Sequence, residues 1–321
     1  MMPPLILRPI YRRYLWGGRR FAAALGRDLP PGEDFAESWE LVDRGADQSV
    51  VAYGPLAGTS LGDLVRTRGV ELAGRHADRV PFPLLFKFLD ARHDLSVQVH
   101  PDDARAARLS PPDLGKTEAW YVVAADPDSR IYAGLAPGVD QPALAAALRA
   151  GRCETVLHAF TPRPGDCIFI PAGTVHAIGA GLLVAEIQQS SDVTYRLHDW
   201  NRLGPDGRPR PLHVEQGLEA VTRFGPVEPV ATRAGEESPW RRLVTCERFL
   251  LDEIRPASRV EVGGDDTWHF LTVIRGGLDA DPRHGLPHVP PGGCLLLPAC
   301  AGREAFGAVG GDTVLLHVQL P

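Results

Sequence analysis

A mainly β fold, with many short strands and a few short helices, is what this sequence predicts, and two counts lead to it. The 321 residues include 34 glycines and 30 prolines, about one position in five, where average usage is roughly one in eight. Yet 44% of the residues are hydrophobic, enough to fill a core and too many for a disordered chain. Apolar runs broken this often favour strands and turns. Coiled coils, helical bundles and collagen-like repeats are excluded on the same grounds.

Along the chain, residues 1–60 hold short apolar segments ending in Glu37-Ser38-Trp39-Glu40. Residues 61–79 have mixed apolar spacing that suits one or two short helices. From Pro81 the pattern turns strand-like, first in FPLLFKFLD and then in LSVQVH. Asp102 or Asp103 can cap a helical turn reaching Leu109. EAWYVVA (118–124) reads as a strand and QPALAAALRA (141–150) as a helix. CIFI, HAIG, LLVAEIQ and VTYRLHD follow as strand-like runs, then a helical stretch at 213–222. The Pro- and Glu-rich segment near 225–240 is the best linker. It separates an expected unit at 1–224 from a second, again strand-rich, at 241–321.

A degenerate repeat joins the two halves. Gly165-x5-Pro171-x-Gly173-x2-His176 is echoed, 127 positions later, by Gly292-x5-Pro298-x-Cys300-x2-Arg303. Glycine, apolar run and proline recur while histidine becomes arginine, as in a duplicated β unit whose chemistry sits in the first copy.

Composition narrows the partners. A net charge of −6 argues against a nucleic-acid surface. The arginines Arg8, Arg12, Arg13, Arg19 and Arg20 among Tyr11, Tyr14 and Trp16 fit a solvated face or phosphate steering better than nucleic-acid binding. Five cysteines without a C-x-x-C pair fit thiols in a reducing cytoplasm. No apolar run approaches the length of a membrane helix, and no membrane partner is expected. Lysine is nearly absent: Lys87 and Lys116 are the only two.

Candidate chemistry starts at Gln98-Val99-His100-Pro101. On a strand, positions i and i+2 share a face, so Gln98 and His100 point together. Lys116 and Glu118 repeat the device, and Pro171-Ala172-Gly173 forms a turn that delivers His176. Three strands can thus bring two nitrogen and two oxygen donors to one point, a mixture that Zn²⁺ accepts. The same residues also suit satisfied core histidines and a plain Lys116–Glu118 ion pair, and spacing alone does not separate the two.

The GDCIFIPAGTVH segment resembles the second motif of the cupin family at every defined position, which implies a double-sheet jelly roll. The usual first cupin motif, with its H-x-H pair, is absent in standard form. Trp16-Gly17-Gly18, Glu37-Ser38-Trp39-Glu40, QVHP, KTE, PAGTVHAIG and Thr194 to Trp200 together resemble the type I mannose-6-phosphate isomerases, in particular their short bacterial form, over roughly residues 5–220. The resemblance implies two cupin-type jelly-roll (double-stranded β-helix) domains, the second lacking the metal site. It also implies interconversion of mannose 6-phosphate and fructose 6-phosphate, and one Zn²⁺ or other divalent ion per chain. Carried over, the metal ligands are Gln98, His100, Glu118 and His176, the catalytic arginine is Arg196, and Lys116 lies beside the substrate. The sequence departs from the family at Leu197-His198, where an aliphatic residue and tyrosine are common.

Three further residues are candidates for contact with the sugar. Trp16, like Trp39, offers an aromatic face to sugar C–H surfaces, Glu40 offers a hydroxyl acceptor, and His198 stands two positions after Arg196. Removing a proton beside a carbonyl needs a polarising cation, an oxyanion partner and a proton carrier. Lys116, His198 or a metal-bound water can fill the last role. A cupin acting on another sugar phosphate, an iron oxygenase and a sugar-binding cupin without activity are the competing readings. The expected partner is a small sugar phosphate, and the chain a monomer or homodimer.

Overall fold

A computed structural model describes residues 2–204, 207–230 and 238–321 of the chain. Strands dominate, and every strand pairing is antiparallel. A six-stranded sheet runs in the order Cys167–Ile170, Glu118–Ala125, Leu182–Gln189, Leu84–Ala91, Glu37–Leu41, Ile10–Arg12. A five-stranded sheet follows Leu157–Phe160, Ile131–Leu135, His176–Ile178, Val97–Val99, Tyr195–His198. The strand-like runs expected from Leu84 to His198 all lie in these two sheets.

Alternation along the strands sorts side chains into layers. Leu89, Trp120, Val122 and Val184 of the larger sheet pack against Ile131, Ala133 and Ile178 of the smaller one. This is the interior of the first jelly roll. The alternate residues Phe86, Phe88, Ala119, Tyr121, Ala185 and Ile187 face outward, onto Leu251, Phe270, Leu296, Leu316 and Val318 of the C-terminal half. On the outer face of the smaller sheet, Val97, Val99 and Leu197 pack under Leu144 and Ala220, which belong to the helices Gln141–Arg149 and Val214–Ala220.

Six C-terminal strands and two from the N-terminal region form an eight-stranded sheet that includes the long partners His269–Asp279 and Glu304–Gln319. Glu304–Gln319 pairs through its first residues with Arg259–Val262 and through its last with Leu250–Ile254, so the sheet wraps around Val260, Leu271, Val273, Leu295, Leu297, Phe306 and Leu315. The second jelly roll is not purely C-terminal in sequence. Leu5–Arg8 pairs with Cys294–Leu297 on one side and Val50–Val51 on the other.

The repeat has a structural counterpart: Cys167–Ile170 and Cys294–Leu297 are equivalent strands, entered after Gly165 and Gly292, both at positive φ. The expected helices are present at Leu61–Ala73, capped by the Ser60 hydroxyl, and at Asp103–Ala106, capped by Asp102. A helix at Arg20–Leu25 lies where only broken apolar segments were expected. Of the expected linker, residues 231–237 lie outside the described residues. Its start follows the first jelly roll, where the Val227 N–H donates to the Ala133 carbonyl and the Val230 N–H to the Cys167 carbonyl. Its end enters the strand Trp240–Thr245.

Candidate active site

Between the two sheets of the first jelly roll lies a cavity of about 330 Å³, within the size range of small-molecule sites. One wall comes from the six-stranded sheet through Glu37, Lys87, Leu89 and Glu186, the other from the five-stranded sheet through Gln98, Ile178 and Arg196. Strand register sets this meeting. His176 pairs with Gln98, Gln98 pairs with Arg196, and Gln188 pairs with Glu118.

His100, Glu118 and His176 converge in the interior, with one donor atom of each within 4.8 Å of the others and all three residues buried. The tautomers follow from the partners. His100 donates its Nδ1–H to the Val193 carbonyl at 2.9 Å, and His176 donates its Nδ1–H to the Thr174 carbonyl at 2.9 Å. A carbonyl oxygen only accepts, so in a neutral ring each Nε2 keeps a lone pair. Burial, and then the charge of Lys116, pushes His100 down to about 4, and burial lowers His176 as well. Both rings are therefore neutral. Their Nε2 atoms lie 3.5 Å and 3.3 Å from the Glu118 carboxylate oxygens. Burial opposes ionisation of Glu118, but the Lys116 ammonium together with His100 and His176 outweighs it, and the carboxyl is held well below its ordinary range.

Two lone pairs and a carboxylate facing one another need a cation. Glu118 Oε1 is buried without a hydrogen bond. The Lys116 ammonium, 3.1 Å from His100 Nε2 and in contact with Glu118 Oε2, supplies the positive charge in this structure. The Gln98 amide lies 3.2 Å from His176 Nε2 and completes the group. Two imidazole nitrogens, a carboxylate and an amide oxygen, anchored from behind by backbone carbonyls, fit a borderline divalent metal ion.

Lys87 also reaches this cavity, and spacing did not single it out. Its ammonium lies 3.2 Å from Glu186 and 3.5 Å from Glu37, while Lys116 lies 3.7 Å from the same Glu186 oxygen. Both lysines of the chain thus line one cavity, in a ladder of alternating charge from Glu37 to Glu118. Burial opposes the charge on Lys87, but Glu186 and Glu37 outweigh it and hold the ammonium protonated. Glu186 is oriented by the Trp120 indole N–H at 2.9 Å. The scarcity of lysine was the one sequence signal that could have drawn attention to Lys87.

Arg196 lines the cavity with its Nε buried and unpartnered. Its Nη1 donates to the Pro211 carbonyl at 2.9 Å. Asp199, the nearby acid, instead binds Arg202 at 2.6 Å and Arg210 at 2.7 Å. Trp16 lines the cavity, stacked on Tyr14 at 5.8 Å between ring centres.

Two expected sugar contacts are corrected. Glu40 does not reach the cavity: alternation turns it, with Ser38, to the opposite face of its strand. There its carboxylate accepts from Arg27 at 2.8 Å and from the Ser38 hydroxyl at 2.6 Å. Glu37 and Trp39 take the inner face, where the Trp39 indole N–H donates to Glu37 at 2.6 Å, and of these Glu37 lines the cavity. His198 is turned away by a register shift between Arg196 and His198. It pairs with Val97 on the outer face and packs edge-on against Trp200, because a bulge breaks the period-2 rule.

A jelly roll with a buried His–Glu–His group in its interior, beside a cavity, defines a cupin with a candidate metal centre. Residues 5–129 match the family model described as phosphomannose isomerase type I, catalytic domain. The mannose-6-phosphate isomerase of Streptococcus mutans is 40% identical over 222 residues, 69% of each chain. A mannose-6-phosphate isomerase of Bacillus subtilis is 37% identical over 218 residues, 68% of each chain. The crystal structure of the Bacillus subtilis mannose 6-phosphate isomerase superposes with a TM-score of 0.85 at 29% identity, covering 99% of both chains. This chain belongs to the type I phosphomannose isomerase family.

Proposed function

We propose that this protein interconverts mannose 6-phosphate and fructose 6-phosphate, with one divalent metal ion, zinc by the nature of the donors, held by Gln98, His100, Glu118 and His176. The observation that carries this is the buried His100–Glu118–His176 group, joined through Gln98 and Lys116 to a cavity whose wall carries an arginine, Arg196, without a carboxylate partner among the described residues. A metal ion bound there would polarise the sugar's carbonyl and hydroxyl oxygens.

The chain's own residues supply the rest. Arg196 offers a fixed positive charge for the oxyanion that develops when a proton leaves the carbon beside the carbonyl. Lys116 sits between the ligand group and Glu186 and is the candidate to move a proton at the substrate oxygens or carbons. His198, the alternative carrier, faces the opposite side of its strand. Lys87, paired with Glu37 and Glu186, holds those carboxylates in place. Trp16 provides an apolar wall for the sugar. Arg210 lines both this cavity and an adjoining hollow of about 790 Å³. With Arg196 it gives the site cations for the phosphate group. The five cysteines are all free thiols, which supports residence in the reducing cytoplasm, and no helix among the described residues is long and apolar enough to cross a membrane.

The test is a coupled assay with mannose 6-phosphate, run beside metal analysis of the same sample. Turnover that depends on one bound ion per chain is expected. Absence of fructose 6-phosphate formation by the metal-loaded protein would refute the reading.

A further inference from the structure

The two jelly rolls correspond beyond their glycine and proline spacing. In the first, Ile170 pairs with Glu118, Trp120 with Glu186, and Glu186 with Lys87. In the second, Leu297, which is 127 positions after Ile170, pairs with His269, Leu271 pairs with His317, and His317 pairs with Asp252. His269, His317 and Asp252 therefore hold the register positions of Glu118, Glu186 and Lys87. All three are buried and line a hollow of about 420 Å³ with Trp240, Arg242 and Asp265.

Hydrogen bonding fixes the protons on the outer nitrogens. His269 Nε2 lies 2.8 Å from Asp265 Oδ1, and His317 Nδ1 lies 3.1 Å from Asp252 Oδ2. Arg242 donates to the other Asp252 oxygen at 2.5 Å. Ionised carboxylates only accept, so both outer nitrogens carry hydrogen. The inner nitrogens, His269 Nδ1 and His317 Nε2, are 2.9 Å apart. Two neutral rings would then aim two lone pairs at each other. The ring centres are 5.1 Å apart with planes inclined by 21°. At this N···N distance, such a separation requires both nitrogens to lie close to the line joining the ring centres. That head-on arrangement suits a linear N–H···N bond and not two ligands converging on a metal at a tetrahedral angle.

We infer that His269 and His317 share one proton between Asp265 and Asp252, so that the second jelly roll carries a buried proton at the register positions where the first places the ligand Glu118 and the Glu186–Lys87 ion pair. Three N–H hydrogens then serve four nitrogens, and every polar atom of the chain from Asp265 to Asp252 is satisfied. Burial, and then the charge of His317, pushes His269 down to about 4, in keeping with a neutral acceptor.

The pair is tied to the rest of the molecule through Asp265. Arg75, just past the helix Leu61–Ala73, donates from its guanidinium to the Asp265 carbonyl at 2.7 Å and from its N–H to the Asp266 carbonyl at 3.0 Å. A Cβ on Gly74 would fall 2.3 Å from the same Asp266 oxygen. The other charged groups facing the pair are Arg242 and Asp252 from adjacent strands and Glu261 across the hollow. Loss of the shared proton sets lone pair against lone pair and removes the positive charge between the two carboxylates, leaving Asp252 its Arg242 partner. The stabilisation from the shared proton is thus lost as pH rises, and the loop that docks onto residues 74–76 loosens with it.

Long-range ¹H–¹⁵N spectra of histidine-labelled holoprotein near neutral pH test the charge state directly. A downfield, exchange-protected proton correlated with both inner nitrogens is expected. Two neutral rings without such a proton, or a second metal ion per chain by elemental analysis, would overturn the inference. Urea midpoints between about pH 6.5 and 9.5 give an independent check: the wild-type midpoint falls relative to that of His317→Gln as pH rises. Parallel curves for the two proteins would equally overturn it.

Discussion

Glu118 Oε1 lies 3.3 Å from His176 Nε2, yet no hydrogen joins them, because the ring's one N–H is held by the Thr174 carbonyl. A carboxylate facing an imidazole lone pair is favourable only with a cation at that point. His176→Ala and Glu118→Ala are accordingly expected to lower metal affinity by at least about 10-fold. Elemental analysis after dialysis at limiting metal measures this. Stoichiometric retention by both variants would remove these residues from the ligand set, as would full activity in rigorously metal-free wild-type protein.

Arg196 is expected to behave differently. Arg196→Ala should keep its metal while kcat falls by about 10²–10³-fold, the usual loss for one oxyanion partner. Arg196→Lys, which retains charge but not the guanidinium fork, should recover part of it. Near-normal turnover in the alanine variant would show that the oxyanion is stabilised elsewhere.

Lys87 is enclosed by Glu37 and Glu186 on adjacent strands. Removing one partner of such a buried group leaves uncompensated charge, so Lys87→Met is expected to cost about 3–5 kcal/mol of stability. Lys87→Met combined with Glu186→Gln should cost less than Lys87→Met alone, because the second change removes one orphaned carboxylate. Urea unfolding of the two variants decides it; an additive or larger loss in the double variant would contradict the ion-ladder reading.

Asp90 gives a pH signature away from the metal ligands. Its side chain is fully buried, with Oδ1 lacking a hydrogen bond and 3.9 Å from the Arg20 guanidinium, and burial raises its carboxyl from 3.8 to about 6. The folded state therefore holds a proton that the unfolded chain has already released between those two values. Stability falls as pH climbs through this window and is level above it. Asp90→Asn should match wild type below about pH 4 and exceed it by roughly 1–2 kcal/mol at neutral pH. A difference that does not change with pH would show that Asp90 is ionised throughout.

Much of the site was legible from local chemistry. Gln98 and His100, and Lys116 and Glu118, are i, i+2 pairs on strands, and the Pro171 to Gly173 turn before His176 has one physical requirement. Gly173 adopts φ +84°, and a Cβ there would meet the Thr222 hydroxyl at 2.0 Å. The glycine and proline excess likewise announced short strands, and they are present. These features depend on neighbours within a few positions, which the sequence carries directly.

The errors have one origin. Glu37 and Glu40 are the same residue type three positions apart, and only pairing with the strand Leu84–Ala91 decides which of them faces the cavity. His198 stands in phase with Arg196 by counting, but a bulge against Val97–Val99 reverses its side. Lys87 gained its place when strands far apart in sequence set Glu37 and Glu186 on either side of it. By itself, then, the sequence determined the strands, the turns and the donor pairs, because alternation and backbone geometry are local. Which faces meet, where a register slips, and that the second copy's centre is built from histidines and aspartates were decided only by tertiary pairing, since a one-residue shift in a sheet exchanges inside for outside.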